Sequence, residues 1–143
     1  MTIVEKSVLI ERTSQQMFDL VDHVEDYPQF LPWCGGTELL ERTENKTRAR
    51  LHIDFHGIKA HFATENAKER PYRMQIELTE GPFRRMDGGW RFTPLGDSAC
   101  KIEFRLHYEF SSRILEKAVG PVFNHIANTF VESFVKRAQQ IYG

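Results

Sequence analysis

Apolar and polar residues alternate along much of the chain between Thr37 and Phe110. The clearest alternation ends this region, with apolar residues at Cys100, Ile102, Phe104, Leu106, Tyr108 and Phe110. Another has Ala49, Leu51, Ile53 and Phe55 between Arg48, Arg50, His52 and Asp54. Shorter alternations lie at Ile3–Glu11, Met74–Leu78 and Trp90–Phe92. Because successive side chains of a strand point to opposite faces, the pattern predicts antiparallel strands with one buried and one hydrated face.

The dipeptide His56-Gly57 separates two alternating stretches and predicts a two-residue hairpin turn. On the hydrated face, this turn would pair Asp54 with Lys59, His52 with His61, and Arg48 with Glu65. Two of these three pairs are complementary in charge, which supports the register. On the buried face, the second strand would contribute Ile58, Ala60 and Phe62.

Helical spacing replaces the alternation on both sides of this region. Thr13 and Gln16 match a capping box, followed at helical intervals by Met17, Leu20, Val21 and Val24. This short helix should end before Pro28. A helix of roughly 45 Å is predicted from about Ser112 to Tyr142, with a kink or break at Gly120-Pro121. Its apolar face is Leu115, Val119, Val122, Phe123, Ile126, Ala127, Phe130, Val131, Phe134, Ala138 and Ile141.

A sheet with one apolar face and a long helix with a wide apolar stripe can bury those surfaces against each other. The expected fold is therefore α+β, a helix-grip arrangement in which a curved antiparallel sheet wraps around the long C-terminal helix. We expect one domain over residues 1–143, because no linker, repeat or low-complexity segment interrupts the chain. Such a fold can leave a cavity between sheet and helix.

Composition narrows the classes of function. A formal net charge of −1 gives no global basic field, so we expect no DNA partner. The N-terminal residues lack the apolar run of a signal peptide, and no segment is apolar over a membrane-spanning length. The two cysteines, Cys34 and Cys100, fit no CxxC pattern and are expected to be free thiols in a reducing cytoplasm.

The segment Tyr27–Cys34 combines two prolines with several large apolar side chains. Its composition fits neither a helix interior nor a strand interior, and Gly35-Gly36 should turn the chain sharply after it. Two interpretations remain open. The segment is either a plug that closes one end of the core, or a gate in which Leu31, Pro32 and Trp33 cover an apolar cavity.

A second unusual segment runs from Gly81 to Trp90. Glycine and proline predict a reversal between strands, yet Phe83 and Met86 are apolar for a turn tip. Either the loop folds back onto the core, or it lies beside the first segment as part of the same gate. Arg84 and Arg85 are interpreted as side chains of a solvated turn rather than as a phosphate or rRNA site.

Two motifs carry a resemblance to a known family. Tyr27-Pro28-Gln29-Phe30-Leu31-Pro32-Trp33-Cys34 resembles the signature loop of the coenzyme Q-binding START-like family. Gly81-Pro82-Phe83-Arg84-Arg85-Met86-Asp87-Gly88-Gly89-Trp90-Arg91-Phe92 resembles the second conserved block of that family, with Met86 where relatives often have Leu. The end of the long helix also agrees, so the resemblance covers nearly the whole chain.

The family resemblance implies a helix-grip fold with a hydrophobic tunnel. It also implies one of two functions. The first is binding of ubiquinone or another polyprenyl lipid in support of respiratory electron transport. The second, typical of the ribosome-association toxins (RatA) in this family, is binding to the large ribosomal subunit, which blocks subunit joining. The first is favoured here because the distinctive residues are apolar rather than cationic.

For the lipid hypothesis, the candidate lining residues are Phe30, Leu31, Pro32, Trp33, Phe83, Met86, Trp90, Phe123, Ile126 and Phe130. The protein is expected to be cytoplasmic, with possible peripheral contact at the inner face of a membrane. For ribosome binding, the candidate contact residues are the cationic residues of the outer sheet face, although acidic residues are interleaved with them.

Catalysis and metal binding are not expected. No recognisable acid–base pair is present, and fold alone does not license an enzymatic assignment. His52 and His61 face each other in the expected hairpin, but no carboxylate or thiol lies beside them at ligand spacing in the sequence. Cys34 is interpreted as a small buried apolar side chain, and no cofactor beyond a bound lipid is implied.

Overall fold

The computed structural model describes all residues from 1 to 143. The strands are β1 (Thr2–Ile10), β2 (Cys34–Arg42), β3 (Lys46–Phe55), β4 (Ile58–Glu69), β5 (Arg73–Glu80), β6 (Phe83–Pro94) and β7 (Cys100–Phe110). The helices are α1 (Ser14–Asp22), α2 (Tyr27–Phe30) and α3 (Arg113–Tyr142), and a single 3-10 turn covers Val24–Asp26.

The seven strands form one curved antiparallel sheet in the order β1-β7-β6-β5-β4-β3-β2. Strands β2 to β7 are joined as consecutive hairpins, whereas β1 pairs with β7 at the far side. The chain between β1 and β2 must therefore cross from one edge of the sheet to the other. The helical segment 14–30 makes this crossing and covers one end of the sheet.

The β3–β4 hairpin confirms the predicted register, with Asp54 opposite Lys59, His52 opposite His61, and Arg48 opposite Glu65. His56 and Gly57 form the turn, and both have positive φ values, of 51° and 78°. This is the backbone conformation that a two-residue hairpin turn requires.

Helix α3 packs its apolar stripe against the concave face of the sheet. The two meet in a cluster of 33 buried apolar residues. The Phe123 ring on α3 lies 4.7 Å, between ring centroids, from both Phe83 and Tyr108. The predicted α+β helix grip is confirmed. The predicted capping box of α1 is also present: the Thr13 hydroxyl accepts from the Gln16 amide, while the Gln16 side chain accepts from the Thr13 amide.

Three local predictions need correction. Tyr27–Phe30 forms a turn of helix, because Pro28 falls in its first turn, where its missing amide proton needs no helical partner. Gly35-Gly36 does not turn the chain but lies in β2, where a β-bulge shifts the pairing with β3. Of the kink or break predicted at Gly120-Pro121, the break is absent, since α3 continues through Pro121.

The fourth correction concerns the segment Gly81–Trp90. Only Gly81-Pro82 forms the reversal, and β6 already begins at Phe83. Phe83 and Met86 are therefore strand residues whose side chains are buried on the concave face. Arg84 and Arg85 also lie on β6 and not in a solvated turn. They pair with Glu109 (3.8 Å) and Asp87 (2.9 Å).

The hairpin turn provides a stability test. Gly57→Ala should lower the free energy of unfolding by about 1–2 kcal/mol, since a side chain is unfavourable at positive φ. Gly36→Ala is the matched control, because that position has no positive φ and open space where the Cβ would lie. It should change stability by less than about 0.5 kcal/mol. Urea unfolding followed by circular dichroism measures both; equal effects would contradict this account of the turn.

Candidate ligand-binding site

A cavity of about 60 Å³ lies between the concave face of the sheet and α3. Sixteen of its 18 lining residues are hydrophobic, and the two exceptions are Thr64 and Asn66. The sheet contributes Ala49, Leu51, Phe62, Thr64, Asn66, Ile76, Met86, Trp90, Phe104 and Leu106. The helices and the segment before β2 contribute Val21, Val24, Tyr27, Trp33, Phe123, Ile126, Ala127 and Phe130.

Six of the ten candidate lining residues meet at this cavity: Trp33, Met86, Trp90, Phe123, Ile126 and Phe130. The other four do not line it. Leu31 is buried in the core and Pro32 is exposed. Phe30 packs on Phe134 with ring centroids 5.2 Å apart, and Phe83 packs on Phe123 at 4.7 Å.

The segment 27–33 forms one wall of the cavity. Trp33 is 2% exposed, and its ring lies 6.2 Å from that of Phe130 on α3. The Tyr27 ring packs edge-on against Phe130 (6.3 Å) and Phe134 (5.4 Å), and its hydroxyl donates to the carbonyl of Val21. Burial raises the pKa of this hydroxyl far above its usual range. The segment thus packs like a plug and borders the cavity through Tyr27 and Trp33, whereas Leu31 and Pro32 of the expected gate do not line it.

The remaining lining residues were missed in the sequence, although a signal for most of them was present. Ala49, Leu51, Phe104 and Leu106 were placed on the buried face without being assigned to a site. Thr64 and Asn66 would have followed from continuing the alternation of β4 past Phe62. They were missed because they are polar, whereas the inward positions of an alternating strand are normally apolar.

Two polar atoms of the cavity lining lack a hydrogen-bond partner. They are the indole Nε1 of Trp33 and the side-chain Oδ1 of Asn66, both inaccessible to solvent. The Nδ2 atom of Asn66 instead faces the sulfur of Met74 at 3.6 Å. A buried polar group without a partner costs about 1–3 kcal/mol, so these atoms provide unused hydrogen-bonding capacity within an apolar space.

The size of the cavity limits what it holds in this conformation. A cavity of about 150 Å³ accommodates benzene, and sites for larger ligands occupy about 300–1,000 Å³. The present 60 Å³ is large enough for water but too small for a substituted ring. A ligand of that size requires the wall formed by segment 27–33, or α3 itself, to move outward.

A buried ionic cluster fastens the end of α1 to the sheet. The Asp22 carboxylate accepts from Lys68 (3.1 Å), Arg70 (3.1 Å) and the Thr47 hydroxyl (2.9 Å). Asp22 and Lys68 are each 5% exposed. Removing one member of a buried pair leaves an uncompensated charge, which makes such contacts specific anchors. The cluster therefore fixes the helical segment beside the cavity.

Arg42 forms a second anchor at the same place. Its guanidinium donates two hydrogen bonds of 2.7 Å to the Glu25 carboxylate and one of 2.9 Å to the carbonyl of Asp22. The hydrogen bonds from Arg42 lower the pKa of Glu25 from its usual 4.5 to about 2. This pair joins β2 to the 3-10 turn that precedes segment 27–33.

The outer face of the sheet carries a paired charge network. Arg50 bridges Glu38 and Glu80, both at 3.1 Å, and these carboxylates also contact His52 (2.7 Å) and His61 (3.1 Å). The expectation that no carboxylate lies beside the two histidines was therefore wrong: strand pairing brings in acids from β2 and β5. The guanidinium stands between the two histidine–carboxylate pairs, and no group of three potential metal ligands assembles.

Both cysteines are buried free thiols. Desolvation raises the pKa of Cys34 and of Cys100, which disfavours the reactive thiolate in each case. Cys34 is 7% exposed, in agreement with its interpretation as a small buried apolar residue. Neither thiol lines the cavity.

The sequence and the fold have counterparts among known proteins. Residues 10–135 match the family described as polyketide cyclase / dehydrase and lipid transport. A ribosome association toxin RatA of Vibrio cholerae O395 is 41% identical over 140 residues, covering 98% of this chain and 97% of the relative. A mitochondrial coenzyme Q-binding protein COQ10 homolog B of Xenopus laevis is 28% identical over 134 residues, covering 90% of this chain and 54% of the relative.

Solved structures agree on the fold. The Zhui aromatase/cyclase from Streptomyces superposes with a TM-score of 0.80 at 17% identity, covering 99% of this chain and 96% of that one. A START superfamily protein from Mycobacterium smegmatis gives a TM-score of 0.76 at 20% identity, covering 97% and 98%.

These structures show that the protein has a START-like fold, a curved sheet around a long helix. The chain belongs to the polyketide cyclase/dehydrase and lipid transport family, and the resemblance drawn from its two motifs is confirmed. Relatives that are 41% and 38% identical to it bear the name of the ribosome association toxins. None of its helices combines the length and the apolar character needed to cross a bilayer.

The Glu25–Arg42 pair makes stability depend on pH. Because the folded-state pKa is lowered, the stabilisation is complete above pH 4.5 and is lost as pH falls toward 2. Both side chains are partly exposed, so solvent screening limits the effect to about 0.5–1 kcal/mol. Glu25→Gln should therefore destabilise the protein by that amount at pH 7 and by nothing measurable near pH 2.

Urea unfolding midpoints measured from pH 7 to pH 2 provide the measurement. Glu132→Gln is the control, since it makes the same chemical change at an exposed α3 position whose carboxylate meets only Lys136, at 3.3 Å. It should give a difference that is small at every pH. A Glu25→Gln deficit that persisted unchanged at pH 2 would contradict an electrostatic origin.

Proposed function

We propose that the protein binds a hydrophobic ligand, ubiquinone or another polyprenyl lipid, in the cavity between the sheet and α3, without transforming it. The observation that carries this proposal is the almost wholly apolar lining of the cavity between the sheet and α3. The coenzyme Q-binding name of the Xenopus relative supports the choice of a quinone. In the cell, such a protein would support respiratory electron transport.

The composition of the lining argues against catalysis at this site. It contains no histidine, aspartate, glutamate, lysine, arginine or cysteine. Its one ionisable residue is Tyr27, which stays protonated because burial raises its pKa and whose proton is donated to a backbone carbonyl. General acid–base chemistry needs a group that exchanges protons near neutral pH, and none faces the cavity.

Burial of an isoprenoid tail supplies enough free energy for binding. Each buried CH₂ contributes about 0.8 kcal/mol. Two or three isoprene units, about 10–15 carbons, can offset an association cost on the order of 4–15 kcal/mol. Loading requires an outward movement of the cavity wall, and segment 27–33 is suited to it because a single turn of helix with its flanking residues costs less to displace than a sheet. We propose a cytoplasmic protein that exchanges ligand at the inner face of a membrane.

Ligand binding can be blocked from inside the cavity. Ala127→Met should reduce the affinity for a decyl-substituted benzoquinone at least tenfold, because Ala127 lines the cavity and a larger side chain fills it. Ala118→Met is the control on the exposed face of the same helix and should bind like the wild type. Quenching of tryptophan fluorescence reports binding, and thermal unfolding verifies that both variants are folded.

Absence of saturable binding by the wild-type protein would refute the proposal. So would its purification without any co-purifying lipid under non-denaturing conditions, if added quinone also failed to bind. Equal affinity of Ala127→Met and Ala118→Met would place the ligand outside this cavity.

A second candidate function is association with the large ribosomal subunit, which would block subunit joining. It is favoured by the 41% identity to a ribosome association toxin over nearly the full length of both chains. Contacts to rRNA need cations that are free to neutralise phosphates. On the outer sheet face, Lys59, Arg91 and Lys101 make no ion pair within 4 Å, whereas Arg48, Arg50 and Arg105 are paired with acids.

Sedimentation distinguishes this function. We expect the protein to co-sediment with the large subunit at low salt, and the combined variant Arg91→Gln/Lys101→Gln to shift toward the top of the gradient. Lys136→Gln on α3 is the control and should sediment like the wild type. A wild-type protein that stays entirely at the top of the gradient at low salt would exclude this function.

A further inference from the structure

We propose that the ligand carries a polar head with both a hydrogen-bond acceptor and a hydroxyl donor, read by the indole of Trp33 and the amide of Asn66. The inference rests on the proposed lipid-binding function and specifies the chemistry of the head group. It identifies a hydroquinone-type ring, rather than a quinone that offers acceptors alone, as the preferred ligand.

The first observation is that the two unpartnered atoms belong to residues that line the same cavity. Only five buried side-chain nitrogen or oxygen atoms of the protein lack a partner, and the others are Arg12 Nε, His107 Nε2 and Arg137 Nε, whose residues lie outside the cavity lining. Trp33 Nε1 and Asn66 Oδ1 both belong to residues that line it. The Tyr27 hydroxyl, by contrast, is already bonded to the carbonyl of Val21 and is not available to a ligand.

The second observation is a change of polarity along the inner face of β4. Side chains two residues apart on a strand share a face. On β4 this face passes from Phe62 to Thr64, Asn66 and Lys68, and Lys68 is held by the buried carboxylate of Asp22 at 3.1 Å. The lining therefore has a polar end beneath α1 and an apolar end at Phe62 and Phe123. An amphipathic ligand fits this gradient with its ring toward Asn66.

The donor and acceptor roles follow from the side chains. An indole N–H only donates, so Trp33 requires an acceptor on the ligand. The Asn66 amide nitrogen faces the Met74 sulfur at 3.6 Å, which leaves the carbonyl oxygen for a donor. A hydroxyl both donates and accepts, whereas a quinone carbonyl only accepts. A hydroquinone satisfies both protein atoms, and oxidation to the quinone leaves Asn66 Oδ1 without a partner.

Three probes with the same decyl chain and a six-membered ring test this specificity: decylbenzohydroquinone kept reduced under anaerobic conditions, decylbenzoquinone, and decylbenzene. Each probe is titrated into the wild type, Trp33→Phe and Asn66→Leu. The ratio of wild-type to variant affinity is calculated for each probe, and these ratios are then compared between probes. This ratio removes differences in solubility between probes. Thermal unfolding establishes that the variants are folded.

We expect Trp33→Phe to weaken both oxygenated probes about tenfold, equivalent to ~1.4 kcal/mol, and to leave decylbenzene within about twofold. Asn66→Leu should weaken the hydroquinone about tenfold and the quinone by less than threefold, with no loss for decylbenzene. In the wild type, the hydroquinone should bind more tightly than the quinone, a comparison that needs no variant.

The outcomes separate this inference from the function on which it rests. If no probe binds the wild type saturably, the lipid-binding function itself fails. If all three bind but both variants change every probe by the same factor, or the wild type binds the quinone as tightly as the hydroquinone, the head-group assignment is overturned while lipid binding stands. In that case the two polar atoms are satisfied by buried water.

Discussion

The contact between α3 and the concave face of the sheet is the interaction on which the rest of the structure depends. Neither element can be stable alone, because each exposes a continuous apolar surface to water. On α3, the Phe123 ring packs on Phe83 of β6. The Phe130 ring packs on Trp90 of β6 and Phe104 of β7. The cavity lies within this contact, so the same side chains that hold the fold together also line the candidate site.

This double use explains the small volume of the cavity. A wide space would remove the packing contacts of Trp90, Phe104 and Phe130, whose ring centroids lie 4.7–5.7 Å apart. A filled core would leave no room for a ligand. The structure instead keeps a compact apolar interior, with segment 27–33 packed at one end of the cavity. The ionic anchors at Asp22 and Glu25 hold the residues before this segment against the sheet.

Much of the fold could be predicted from the sequence, because its signals are local. The turn at His56-Gly57 fixes a register that the charges of neighbouring pairs support, and the inner face of β7 follows from alternation alone. The failures came from glycines and prolines whose role depends on distant residues. Gly88 lies in mid-strand, and a Cβ there would be 2.0 Å from the carbonyl oxygen of Arg105, so close approach of β7 demands glycine. No local pattern in the chain reveals that approach.

The candidate site was predictable only in part for the same reason. Trp33, Trp90 and Phe130 could be assigned because they belong to distinctive motifs or to the helix stripe. On the outer face of the sheet, the pairs His52–Glu38 and His61–Glu80 could not be predicted either, since they depend on which strands become neighbours and on the bulges of β2. Asn66 was singled out because its side-chain oxygen has no hydrogen-bond partner. That property depends on the positions of the surrounding side chains and cannot be read from the sequence.

The pairing of β1 with β7 has a consequence for how the protein is made. Thr2 lies opposite Tyr108, so β1 can pair only after β7, the last strand in the chain, has been synthesised. Contacts between residues so far apart in sequence form slowly, since a long loop must close first. The helix that completes the core follows later still. During synthesis on the ribosome, the hairpins can form early, but the cavity between the sheet and α3 comes into existence only after α3 has emerged.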